Sequence, residues 1–128
     1  MKAEDLKVGV HIYEVLVFPQ TNGRIESPVS AYRVAKGPYE EGSLRALSVD
    51  LVRVNPVTGK DEETVTRSLY DYNVGRLNDY NLHQFFTDEA EANYYSQRME
   101  YRLLSPREIG IFNRTLIKIQ ERETYKSW

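Results

Sequence analysis

The hydrophobic period changes once along this chain, near Thr87, and that change limits the folds open to it. Up to Phe86 the apolar residues come in short runs or alternate one by one, as they do in β-strands. After Thr87 they recur every three to four residues, as on one face of a helix. Strands followed by helices, rather than strands alternating with them, place a chain of 128 residues in the α+β class. The expected architecture is a small antiparallel β-barrel, or a strongly bent sheet of about five strands, followed by two C-terminal helices. One domain is expected over residues 1–128, β-rich through residue 86 and helical from residue 87.

The strand pattern has internal structure. V-H-I-Y-E-V-L-V-F, Val10 to Phe18, is apolar on both parities, so it predicts a central strand covered on both faces. His11 inside it predicts a packed, hydrogen-bonded histidine. Val29 to Ala35 predicts a second strand, and G-P-Y-E-E-G, Gly37 to Gly42, a turn. In the third strand, Leu44 to Val54, the apolar face moves from Leu47, Val49 and Leu51 to Val52 and Val54, which predicts a bulge or bend near Leu51. N-P-V-T-G, Asn55 to Gly59, then closes a hairpin with a strand over Glu63 to Tyr72.

Two capping patterns mark the helices. Thr87 precedes Asp88, Glu89 and Glu91, acids that complement the positive end of a helix dipole, and predicts a helix from Asp88 to Leu103. Ser105-Pro106-Arg107-Glu108 joins a serine cap, a proline at the first helical position and a capping-box glutamate, and predicts a helix from Pro106 to Thr124. On that helix Ile109, Phe112, Leu116 and Ile119 form one apolar stripe. It either packs on the β-rich part or pairs with its copy in a second chain, making a homodimer. The terminal Tyr125 and Trp128 are expected to dock on the body of the protein or on a neighbouring chain.

Composition excludes several function classes. The 17 basic and 19 acidic residues nearly cancel, so the chain has neither the positive field of a typical nucleic-acid binder nor the density of a DNA mimic. It has no cysteine, hence no disulfide framework and no cysteine zinc site, which suits a cytoplasmic protein. No apolar run is long enough to span a membrane, and no signal-peptide pattern occurs. No metal, cofactor or phosphate-loop motif is present either, and D-Y-N-V-G lacks the alternating ligands of a calcium loop. Of the two histidines, His83 is the better candidate general base, although no nucleophile motif stands beside it.

What remains is a tyrosine-rich doublet. L-Y-D-Y-N, Leu69 to Asn73, returns as L-N-D-Y-N, Leu77 to Asn81, where Asp and Asn suit turn chemistry. The chain has ten tyrosines, and Tyr70, Tyr72, Tyr80, Tyr94, Tyr95 and Tyr101 are close in sequence, offering amphipathic contact area for a protein partner. D-L-K-V-G at Asp5 to Gly9, together with H-Q-F-F-T-D-E-A-E-A at His83 to Ala92, resembles small phage-encoded accessory proteins built on an SH3-like barrel with a helical appendage. The resemblance covers most of Met1 to Leu103. It implies a non-enzymatic protein that binds one host macromolecule and blocks or redirects it, in the host cytoplasm. Two alternatives stand beside that expectation. One is nucleic-acid binding through Arg33, Arg45, Arg53, Arg67 and Arg76 beside stacking tyrosines. The other is a small enzyme using His83.

Overall fold

The structure is a computed structural model that describes residues 1–41 and 46–126, apart from the side chains of Tyr125 and Lys126. The expectations for Leu44, Arg45, Tyr125 and Trp128 therefore lie outside the described residues. The fold is α+β. Strands β1 (His11–Val15), β4 (Val29–Glu41), β5 (Ala46–Val54), β6 (Asp61–Ser68) and β7 (Gln84–Phe86) form an antiparallel sheet in the order β6-β5-β4-β1-β7. Strands β2 (Phe18–Pro19) and β3 (Ile25–Glu26) form a small second sheet. Helices α1 (Glu89–Glu100) and α2 (Pro106–Lys126) follow.

The sheet is open, not the closed SH3-like barrel that the resemblance implied. Strands β6 and β7 stand at opposite edges. The connection between them lays Leu69, Tyr72 and Val74 against Ile12, Tyr32, Val34, Val49, Leu51 and Phe85, filling the side on which a barrel would close. The other face of β1 and β7 meets the helices. There Val15, Val17, Ile25 and Leu82 pack with Ala92, Tyr95 and Met99 of α1 and with Ile111 and Phe112 of α2. Strand β1 lies between these two cores, sending Ile12 and Glu14 to one and Tyr13 and Val15 to the other. Its apolar character on both parities follows from that position. Each fully buried Ile, Leu or Val contributes roughly 1.5–3 kcal/mol.

Several boundaries depart from the sequence pattern. Gly37 to Glu41 continues β4 instead of turning, because two register shifts, one at Ala35 between Val34 and Lys36 and one across Gly37 and Pro38 between Lys36 and Tyr39, keep the strand paired to β5. The Tyr39 hydroxyl then donates to Asp50 across the pair at 2.6 Å. The irregularity expected near Leu51 is present: the β4 register shifts between its partners Val34 and Lys36, opposite Leu51 and Asp50, and the β6 register shifts between Val52 and Val54. Strand β6 ends at Ser68, so Tyr70 and Tyr72 leave the sheet in a 3-10 turn. His11 is exposed at the start of β1 rather than packed.

The helix ends have local causes. Asp88, not Thr87, caps α1, its side chain accepting the Ala90 N–H at 2.8 Å. Helix α1 stops at Glu100 because Arg102 is left-handed, with φ 55°, and two bonds close the end. The Leu103 N–H donates to the Arg98 carbonyl and the Arg102 N–H to that of Met99, a Schellman arrangement without glycine. The capping box of α2 forms as expected: the Ser105 N–H donates to Glu108, and Ser105 Oγ accepts the Glu108 N–H. Glu108 is also held by both guanidinium nitrogens of Arg98 at 2.5 and 2.8 Å, which lowers its carboxyl pKa and locks the corner between the helices.

Candidate functional site

The stretch from Leu69 to His83 carries the sequence doublet and joins the two edges of the sheet. The turn Tyr70–Tyr72 closes on Asn73, whose φ of 58° is a conformation that asparagine tolerates. Asn73 then ties the loop together. Its Nδ2 donates to the His83 carbonyl at 2.8 Å, and its Oδ1 accepts the Asn78 N–H at 2.8 Å. Asn78 accepts the N–H groups of Tyr80 and Asn81 at 3.1 and 3.0 Å and donates to the Tyr70 carbonyl at 2.9 Å. Asn81 donates to the Asp71 carbonyl at 2.9 Å.

The two copies of the doublet therefore bond to each other rather than repeat a structure. Leu69, Tyr72 and Asn78 are buried, whereas Leu77, Tyr80 and Tyr70 at the matching positions are exposed. Helix α2 adds an outer clamp, with Arg107 donating to the Asn78 carbonyl at 2.6 Å and Arg114 to that of Asp79 at 3.0 Å. On this frame the Tyr80 hydroxyl donates to the Asp71 carboxylate, and its ring lies 5.7 Å from that of Tyr70. Tyr70 and Tyr80 are 44% and 43% exposed, so this is an aromatic pair held in place while still open to solvent.

Beneath the loop lies a buried polar centre. Glu14, 1% exposed, accepts from the Tyr72 hydroxyl at 2.6 Å, the Arg67 Nε at 2.9 Å and the Tyr32 hydroxyl at 3.3 Å. Burial raises the pKa of the Tyr72 hydroxyl, and its bond to Glu14 raises it further, so the phenol keeps its proton. The four side chains tie β1, β4, β6 and the loop together. No buried side-chain nitrogen or oxygen among the described residues lacks a partner.

His83 stands between this centre and the surface. Its Nδ1 accepts the Val17 N–H at 2.9 Å, and its ring lies 5.5 Å from Phe18 and 6.0 Å from Tyr72. Burial lowers its pKa, against the pull of Glu14 and Asp71, which keeps the imidazole neutral with Nε2 carrying the proton. Two cavities meet at Tyr80, Asn81 and His83. One, of about 190 Å³, is largely apolar and runs under α2 past Val17, Phe18 and Ile111. The other, of about 460 Å³, is a more open hollow with mixed polar and apolar walls that include Leu16, Arg67, Ser68 and Asp71. Among the described residues no group of three or more His, Cys, Asp or Glu side chains could hold a metal ion.

The other candidate residues divide. Tyr72 and Tyr95 are core side chains, since the Tyr95 hydroxyl donates inward to the Leu82 carbonyl at 2.7 Å. Tyr94, midway along α1, and Tyr101, its C-cap residue, are 68% and 76% exposed. The α2 stripe is largely used inside the chain: Phe112 is buried, Leu116 and Ile119 are half-buried, and Ile109 is exposed. Among the arginines, Arg33, Arg53 and Arg67 pair with Asp61, Glu63 and Glu14, and Arg76 is exposed in the loop. Glu14 was not singled out from sequence, yet a carboxylate inside a strand apolar on both parities signals a buried charge that needs partners.

A family model described as phage g100-like protein matches residues 1–99, which covers both sheets, the loop and nearly all of α1 but not α2. No curated protein matches the chain, and no solved structure does.

Proposed function

The chain belongs to the phage g100-like protein family, and from that premise we propose that it is a non-enzymatic phage accessory protein that binds a host protein and modulates or inhibits it. The observation that carries this reading is the Tyr70 and Tyr80 pair, exposed yet fixed by Asp71 and by the asparagine frame. Tyrosine supplies large amphipathic contact area, and a side chain already ordered loses little entropy on binding. The polar centre beneath it supports a structural use of Glu14, because the carboxylate is shielded by the groups that bond it. A nucleic-acid role draws less support, since three of its five candidate arginines already face acidic partners.

Capture from a bacterial lysate tests the proposal. Immobilised wild type is expected to enrich one host protein, and the double variant Tyr70→Ala/Tyr80→Ala to lose it at least tenfold with unchanged thermal unfolding. A hot-spot tyrosine contributes about 2 kcal/mol or more, which alone exceeds tenfold. Enrichment that survives the double variant would refute the tyrosine assignment. Turnover of a metabolite that His83→Ala abolishes would favour the enzymatic reading, and a salt-sensitive electrophoretic shift the nucleic-acid one.

A further inference from the structure

We infer that the hollow between α2, β2 and the end of the doublet loop is a binding site for a small neutral phenol, its ring held by apolar and aromatic walls and its oxygen by the Nε2 proton of His83. The hollow has about 190 Å³ of room. Protein interiors leave few voids wider than one water, and a cavity of about 150 Å³ already admits benzene, so this one is sized for a single six-membered ring. Its walls suit a ring as well. Phe18, Tyr80, His83 and Phe112 bring aromatic side chains, among aliphatic ones such as Val17 and Leu82.

One polar side chain in that wall has a hydrogen-bonding group unmet. The Tyr80 hydroxyl donates to Asp71, the Asn81 amide is bonded within the loop, and the Thr115 hydroxyl donates to the Ile111 carbonyl of its own helix at 2.9 Å. His83 differs. Its Nδ1 accepts the Val17 N–H, which places the ring proton on Nε2, and Nε2 has no bond among the described residues. Every solvent-excluded side-chain nitrogen or oxygen among those residues is bonded, so Nε2 reaches open space, and the open space that His83 lines is this hollow and the larger one that meets it. A ligand there must bring an acceptor.

Charge selects the kind of acceptor. The negative charges of Glu14 and Asp71 both act on the His83 ring, and the one cation that lines either hollow among the described residues, Arg67, is already bonded to Glu14. A carboxylate ligand would add a third negative charge with no uncommitted cation to meet it. A neutral hydroxyl avoids that cost. It accepts from His83 and also has a proton to give, and Asp71, in the wall of the larger hollow, carries a second carboxylate oxygen with no bond among the described residues.

Amide chemical shifts of the full chain titrated with phenol test the inference. Saturable shifts are expected at Val17, Leu82, His83 and Ile111, with β5 and β6 unmoved. Benzoate, the same ring carrying a charge, should bind roughly tenfold more weakly. His83→Asn sets a side-chain oxygen near the place of Nδ1, keeping an acceptor for Val17, and removes the Nε2 proton; it should weaken phenol roughly fivefold, the worth of one neutral hydrogen bond. Thr115→Phe fills the hollow from α2 and should abolish the shifts. If that chain fails to fold, the His83→Asn result decides. No saturable shift with phenol at any concentration the fold tolerates would overturn the inference. So would benzoate binding as tightly as phenol, or phenol binding unchanged in His83→Asn.

Discussion

Replacing Glu14 with alanine is expected to remove about 3–5 kcal/mol of stability, the cost of breaking a buried ion pair from one side. The change leaves the Tyr72 and Tyr32 hydroxyls, inside the core, and the Arg67 guanidinium, at its edge, without their common acceptor. Urea unfolding reads it as a lower midpoint with an unchanged slope. Arg33→Ala is the contrast. Its partner Asp61 is exposed, so losing that pair should cost less than about 1 kcal/mol. A Glu14→Ala protein within 1 kcal/mol of wild type would mean that the polar centre does not tie the strands to the loop.

The second large effect is expected at Asn78. Truncation to alanine strands the Tyr70 carbonyl and the N–H groups of Tyr80 and Asn81 together. Each unmet buried group costs about 1–3 kcal/mol, and partial access to water reduces the sum to about 3 kcal/mol. The damage should also be local, because Asn78 bonds within the doublet and is itself part of neither apolar core. Asn78→Ala should therefore lose host-protein capture even at temperatures where it remains folded. Asn78→Asp should recover part of the stability, since its carboxylate still accepts from Tyr80 and Asn81. Equal losses for alanine and aspartate would show that the accepted bonds are not what holds the loop.

Sequence pattern and final structure agree where local chemistry decides the outcome. Ser105 and Glu108 make their capping box because both partners lie within one turn. The hairpin of β5 and β6 forms where Asn55 and Gly59 allow it, with Asn55 Oδ1 accepting the Val57 and Thr58 N–H groups. The asparagines of the doublet do turn chemistry, as their type and place suggested. Agreement ends where distant residues decide. Gly37 and Pro38 read as a turn but stay in β4, since pairing to β5 continues through two register shifts. Tyr72 and Tyr80 hold matching positions in the doublet, and distant residues make the first a core side chain: Glu14 in β1 accepts its hydroxyl, and Phe85 in β7 stacks on its ring at 4.2 Å. The Ile109, Phe112, Leu116 and Ile119 stripe shows an apolar face but not its neighbour, which is the surface around Val17, Leu82 and His83.

The central claim is that Leu69 to His83 is a preformed platform and not an ordinary surface loop. Amide hydrogen exchange tests it without any partner. The N–H groups of Asn78, Tyr80, Asn81 and His83 each donate to an asparagine side-chain oxygen at 2.8 to 3.2 Å. The account predicts that these four amides exchange as slowly as those of β1 and β4, and that Asn78→Ala frees them while the strands stay protected. Exchange of all four at the rate of an unstructured chain, in wild type with an intact sheet, would contradict it.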